Sequence, residues 1–246
     1  MDFPFTLQFL NHSPNHPPGI LVFTCNFHKE LNYSQNEDIA KIVKQFCTIV
    51  DIMGEQSRQA QKLDKPVTTA NILKHTNHKL YLISLGPNKI NGILKIGTKK
   101  LFVYNEKNEL TPITPTCVLD FYVVSSSQRQ GVGRLLFEYM LQCEKLTPRE
   151  LAYDAPSNKF LSFLKKHYGL MSYTPLSTNF VIFHEYFIPS SQSYHYKRQT
   201  LLQLVTTLSN FYQSQKTEKK SAKVVSYQSN ERGPFIAENT DVKHKR

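Results

Sequence analysis

What this chain lacks narrows it first. No apolar run is long enough to cross a membrane. Cysteine is sparse: Cys25, Cys47, Cys117 and Cys143 form no Cys-x-x-Cys pair and no dense framework, which fits a reduced intracellular compartment. The histidines show no metal-ligand spacing. His75 and His78 stand three apart with no second ligand pair nearby and read as surface residues, so no metal is expected. The opening Met1-Asp2-Phe3-Pro4-Phe5 lacks the basic region and long apolar stretch of a secretory signal, and no internal repeat is present.

Negative charge is also short, with 19 Asp/Glu against 30 Lys/Arg for a net +11. The imbalance is uneven. Residues 195–246 hold ten Lys/Arg and four Asp/Glu, a balance of +6, so more than half the excess lies in the last fifth of the chain. Such a tail suits nucleic acid, an anionic membrane or an acidic protein face, or merely solvates the chain, and charge alone does not choose. The hydrophobic share of 40%, with 16 Phe and 13 Tyr, is enough for a real core.

Periodicity outlines the elements. Residues 3–9 suit a short strand, and 20–23 an apolar run after the Pro17-Pro18-Gly19 breaker. Ser34-Gln35-Asn36-Glu37 has capping-box form, and Ile39, Ile42, Val43, Phe46, Ile49, Val50 and Met53 follow at helical spacing. Gly54 weakens the end of that helix, polar residues continue through Gln61, and 66–70 reads as a loop. Strands are expected at 79–85, 90–96, 101–104, 151–153 and 179–187. The nearly continuous apolar run at 117–124 suits a central strand buried on both faces. Val132, Leu135, Leu136, Tyr139, Met140 and Cys143 form the stripe of a second helix. Ser157 caps a third, with Phe160, Phe163 and Leu164 inward and Lys159, Lys165 and Lys166 outward. The pattern gives an α/β or α+β domain over residues 1–190. A basic tail follows over 191–246. A helix over 200–212 either packs back or docks a partner, and disorder is expected beyond it.

The informative segment is Gln128-Arg129-Gln130-Gly131-Val132-Gly133, which follows the central strand and opens a helix. Glycines there let backbone approach a ligand, and the first N–H groups of a helix, with its dipole, favour an anion. The spacing is neither Gly-x-x-x-x-Gly-Lys-Ser/Thr nor Gly-x-Gly-x-x-Gly, so nucleotide hydrolysis and a dinucleotide cofactor are disfavoured. Gln/Arg-x-x-Gly-x-Gly resembles instead the CoA-binding turn of the Gcn5-related N-acetyltransferase superfamily. Its surroundings resemble the alpha-tubulin N-acetyltransferase family in particular. They are the run at 117–123, Leu136-Phe137-x-Tyr139-Met140-Leu141-Gln142, Leu151-Ala-x-Asp154-x-Pro156-Ser157-x-Lys159, and Phe163-Leu164-x-Lys166-His167-Tyr168. Phe3-Pro4-Phe5, the run at 99–103 and the run at 179–183 match as well, and the likeness covers residues 1–188.

The resemblance implies a central mixed sheet flanked by helices. It implies acetyl-CoA as co-substrate, and direct transfer to a lysine of alpha-tubulin in the microtubule lumen. Alternatives are another lysine-bearing protein, such as a histone tail, or a microtubule-binding protein with little activity. Acetyl-CoA contacts are expected from Phe121, Tyr122, Val123, Val124, Gln128, Arg129, Gln130, Gly131, Val132, Gly133 and Arg134, then from Ser157, Asn158, Lys159, Phe160, Phe163 and Lys166. Gln61, Asp154 and Cys117 match catalytic positions, while Arg129 and Phe102 match the substrate groove. An amide is no base near neutral pH, so Gln61 orients the lysine or a water, and Asp154 binds the ammonium or takes its proton. Cys117 could help if its pKa were lowered, but burial in an apolar strand raises it. Asp120, inside the apolar strand, reads as structural. The expected state is a monomer on cytoplasmic microtubules or the ciliary axoneme, without nucleic acid or membrane.

Overall fold

A computed structural model describes residues 1–4, 19–27, 38–104 and 109–188, with Thr206 and Asn210 beyond. In chain order its elements are β1 (Ile20–Phe23), α1 (Asp38–Gln61), α2 (Ala70–Lys74), β2 (Lys79–Ser84), β3 (Ile90–Thr98), β4 (Leu101–Tyr104) and β5 (Leu110–Ile113). They continue with β6 (Thr116–Val123), α3 (Val132–Glu144), β7 (Leu151–Asp154), α4 (Asn158–Tyr168), β8 (Tyr173–Pro175) and β9 (Phe180–Phe183). The apolar run at 117–124 becomes β6, in the middle of a seven-stranded sheet ordered β1-β2-β3-β6-β7-β9-β8. Among the described residues only β6 and β7 pair in parallel, so the sheet is mixed. β4 and β5 form a separate hairpin.

Strand alternation assigns the two faces. On β2, Tyr81 and Ile83 join the core beneath α3 and α4, while Leu80 and Leu82 join the core beneath α1. A third apolar cluster lies at the β7 end, where Leu101 and Val103 cover Cys117, Leu119, Ala152, Phe180 and Ile182. On the α3 and α4 side an aromatic cluster joins the layers: the Phe121 ring lies 4.9 Å from Phe160, 5.7 Å from Phe163 and 5.9 Å from Phe137.

Several sequence expectations change. Gly54 does not weaken the end of α1. It sits within a helix of 24 residues that runs to Gln61. Residues 66–69 are a loop as expected, but Ala70 starts α2, capped by the Thr69 hydroxyl, which accepts from Ile72 N. The strand expected at 179–187 stops at Phe183, and His184–Phe187 forms a 3-10 turn. Cys143, assigned to the apolar stripe of α3, is exposed. His78 is not a free surface residue: its Nδ1 is buried without a partner, and burial pushes its pKa down to about 4. Residues 5–9 of the first expected strand, the Ser34–Glu37 capping box and all but two residues of the helix expected at 200–212 lie outside the described residues. Those two, Thr206 and Asn210, are helical.

Candidate active site

The site begins where β6 leaves β7. Their parallel pairing holds Thr116 to Leu151, Cys117 to Ala152 and Val118 to Tyr153, then ends. Residues 119–123 of β6 continue beside β3 only. The same point carries a bulge. Lys95 pairs with Asp120 and Ile96 with Val118, which leaves Leu119 without a partner on β3. An extra residue resets the alternation of side chains. Cys117 and Leu119 face the hairpin side. Asp120 then falls on that same sheet face, toward α1, and Phe121 falls on the aromatic side. Unbulged pairing would point Asp120 into the apolar core beneath α3.

A buried charge needs partners, and Asp120, 5% exposed, has them. Ser57 Oγ donates to its Oδ1 at 2.7 Å, Gln61 Nε2 to the same oxygen at 3.0 Å, and Thr68 Oγ1 to Oδ2 at 2.5 Å. Gln61 Nε2 also donates to Ser57 Oγ at 2.7 Å. The backbone explains why these side chains converge. Ser57 and Gln61 lie four apart on one face of α1. Past Gln61 the chain turns back through Lys62 at φ 57°, with Arg58 donating to the Leu63 carbonyl at 2.9 Å. The returning loop crosses α1 at Gly54, and Asp51 accepts from Ala70 N at 2.8 Å. Lys95, 3% exposed, faces Asp120 across the sheet and donates from Nζ to the Val67 carbonyl of that loop.

Asp154 ends β7 and is half-buried. Burial raises its carboxyl pKa, a nearby Asp120 adds to this, and the Lys99 and Lys95 charges oppose it. Lys95 is depressed to about 8, chiefly by burial, although Asp120 and Asp154 favour its charged form. Cys117 is fully buried and its thiol donates to the Pro115 carbonyl at 3.5 Å. Burial pushes that thiol up to about 12, so it carries its proton at neutral pH. Asp154, Asp120, Lys95 and Lys99 thus influence one another through charge at the end of the β6–β7 split, and the neutral Cys117 thiol lies near Asp154 and Lys99. Asp154 caps no helix; Ser157 Oγ caps α4 by accepting from Phe160 N.

The glycine turn lies at the other end of residues 119–123. Asn91 anchors its approach: its amide donates to Ser127 Oγ at 2.8 Å and its backbone carbonyl accepts from Val124 N at 2.9 Å. Gln128 donates to the Val123 carbonyl at 2.8 Å and Gln130 to the Ser126 carbonyl at 3.0 Å, so both side-chain amides brace the turn. Arg129 is exposed at φ 61°. Gly131 is the N-cap of α3 at φ 84°, with no side-chain cap and nothing within 4 Å of where a Cβ would stand. Gly133 serves packing: a Cβ there would lie 3.3 Å from both Phe121 and Val123. The space beside Gly131 is therefore open, at the start of a helix whose first N–H groups have no intrahelical partner. Arg134 is tied to buried Glu138 at 2.7 Å. Phe160 and Phe163 belong to the aromatic cluster, whereas Asn158, Lys159 and Lys166 are exposed. Tyr122 is buried toward α1, Val132 toward α3's own core, and Val123 and Val124 are partly buried. Phe102 is 50% exposed on the hairpin, with Lys100 Nζ 5.6 Å from its ring centre. Among the described residues, no group of three His, Cys, Asp or Glu could hold a metal ion, and no helix is long and apolar enough to cross a membrane.

Sequence reasoning misses Ser57, Thr68, Lys95 and Asn91, and reads Asp120 as structural only. The available signal is a carboxylate inside an apolar strand, which demands donors from elsewhere in the chain.

A mixed sheet that splits beside the parallel β6–β7 pair, with a glycine-opened helix after the central strand, is the GNAT-type acetyltransferase fold. The sequence model described as GNAT acetyltransferase, Mec-17, matches residues 13–222, and the chain belongs to that family. It is 43% identical to the alpha-tubulin N-acetyltransferase of Tetrahymena thermophila over 63% of this chain and 39% of the relative. Identity to the Leishmania major alpha-tubulin N-acetyltransferase is 46% over 58% of this chain and 59% of the relative. Identity to alpha-tubulin N-acetyltransferase 1 of Danio rerio is 38% over 76% of this chain and 62% of the relative. These matches span less than two thirds of each relative's length.

Proposed function

We propose that this chain is an acetyl-CoA-dependent acetyltransferase that acetylates a lysine side chain of alpha-tubulin, on the lumen side of microtubules, by direct transfer with both substrates bound. The observation that carries the reading is the β6–β7 split, bounded by the open N-terminus of α3 at one end and by Asp154, Asp120 and Gln61 at the other. The names of the relatives support tubulin as the acceptor.

The residues fit the co-substrate. Backbone groups of residues 119–123 suit pantetheine amides, and the first N–H groups of α3 suit the pyrophosphate. Exposed Lys159 and Lys166 on α4 offer counter-charge, and Asn158 lies beside them. Acetyl-CoA supplies the activated acyl group.

A free lysine has a pKa of about 10.4 and is protonated at neutral pH. Asp154, with its pKa raised, is suited to take the first proton from the ammonium. The amine nitrogen then attacks the thioester carbonyl: the C–N bond forms, the C–S bond breaks, and the second proton leaves with the CoA thiol. Cys117 stays neutral and supplies a small, dry wall. Arg129 and Phe102 are suited to contact the acceptor polypeptide.

The test is acetyl transfer from acetyl-CoA to assembled microtubules, with Gln61→Ala and Asp154→Asn in parallel. Microtubule binding with no transfer by the unsubstituted chain would sink the enzymatic reading. Undiminished transfer by both variants would sink the site assignment.

A further inference from the structure

We infer that Asp120 is a positioning residue that locks the Gln61 amide with its carbonyl oxygen turned toward the substrate, so that Gln61 meets the lysine amine as a hydrogen-bond acceptor. The inference rests on the lysine-acetylating reading and deepens it.

The hydrogen-bond inventory forces the orientation. Ser57 spends its one hydroxyl proton on Asp120 Oδ1, so toward Gln61 it can only accept. Asp120, as a carboxylate, accepts only. Both protein neighbours of the Gln61 amide are therefore acceptors, at 2.7 and 3.0 Å. A reversed amide would aim Oε1 at a carboxylate and a lone pair, and would leave two buried acceptors short of donors. One N–H of Gln61 is thus shared between these two acceptors, which stand 2.7 Å from each other, and the amide nitrogen is held to the protein side. Its Oε1 has no donor among the described residues and is not buried. Thr68 on the carboxylate's other oxygen, and Lys95 opposite, hold Asp120 in turn. An acceptor at that point takes an N–H of the lysine amine without competing for its proton, and so turns the nitrogen lone pair elsewhere.

The test reverses the polarity of the pair. Asp120→Asn gives Gln61 a donor neighbour, lets the amide turn over, and presents NH2 to the substrate. It should lower kcat roughly 10- to 100-fold, the size expected when a buried hydrogen-bond partner is mismatched, with the KM for acetyl-CoA unchanged. Gln61→Glu alone sets two carboxylates side by side and should be at least as impaired. The double variant, Asp120→Asn with Gln61→Glu, swaps amide and carboxylate between the two positions. The amide on β6 then donates to the carboxylate on α1, whose second oxygen again faces the substrate, and kcat should recover about tenfold over Asp120→Asn, as one restored hydrogen bond allows. A merely structural role predicts losses that add.

Microtubules and acetyl-CoA are the substrates, and circular dichroism checks folding. Where Asp120→Asn proves unfolded, Ser57→Ala decides in its place. It should lower kcat without moving the acid limb of the pH profile, and Ser57→Thr should retain activity; unchanged kcat in Ser57→Ala overturns the inference. Additive losses in an active protein overturn the inference alone. No transfer by the unsubstituted chain overturns the functional reading, and the inference with it.

Discussion

A methyl group placed on Gly54 would lie 1.8 Å from the carbonyl oxygen of Thr68, so α1 and the loop that follows it meet backbone to backbone. That contact brings the Thr68 hydroxyl to Asp120. By helix propensity alone Gly54→Ala should stabilise α1 by about 1 kcal/mol. We expect the opposite sign, a net loss of about 1–3 kcal/mol, because neither backbone can yield without repacking. Acetyl transfer should fall with it as Thr68 leaves the carboxylate. Urea midpoints and transfer rates of Gly54→Ala check this; a raised midpoint would count against it.

Gly131 and Gly133 should fail for different reasons. At Gly131 space is free but φ is 84°, so Ala costs about 1–2 kcal/mol through the backbone alone. Asn, which tolerates that region, should recover most of the loss. At Gly133 the conformation is ordinary, and a Cβ presses on Phe121 and Val123 at 3.3 Å. Asn should be worse there than Ala. Both sites should raise the KM for acetyl-CoA, so paired KM and melting measurements on the four variants separate the two causes.

The elements legible in the sequence are those with strong local signals. The apolar run of β6, the glycine turn and the Ser157 cap of α4 all stand where the pattern puts them. β5 and β8 are not legible: each is short and carries a proline, Pro112 or Pro175, which reads as a breaker and is tolerated on a two-stranded hairpin or a sheet edge. The bulge at Leu119 has no glycine to announce it and is visible only through its pairing with β3. The Asp120 network is hidden by distance, since its donors lie 63, 59 and 52 residues away in sequence. Local periodicity carries no information on such pairs.

Phe102 presents a side chain that the fold does not use. It is half exposed, and Tyr104 and Leu110 beside it on the hairpin are 71% and 57% exposed. Surface substitutions of this kind shift stability by within about 0.5 kcal/mol. Phe102→Ala should therefore leave the melting temperature unchanged. It should raise the KM for microtubules with little change in kcat, the signature of binding shared by ground and transition states. A fall in kcat at saturating microtubules would instead put Phe102 beside the reacting atoms.

Asp154 should trade stability against activity. Burial, the largest cause, raises its folded pKa above the usual 3.8. A raised carboxyl binds its proton more tightly in the folded state. Its contribution is thus favourable below the unfolded pKa and is lost as pH rises through the folded value. At neutral pH the folded protein carries a penalty for the charge, so Asp154→Asn should unfold at higher urea than the parent. That advantage should vanish in acid. Transfer should be abolished or severely reduced in the same variant, and the parent's activity should fall as pH drops through the raised value. Lys99 is exposed and is the leading charge opposing that rise. Lys99→Ala should therefore move the acid limb of the activity profile to higher pH with little effect on folding. Salt should reduce the shift, because an exposed charge is screened. An acid limb that stays in place in Lys99→Ala at low salt would argue that a group other than Asp154 takes the proton.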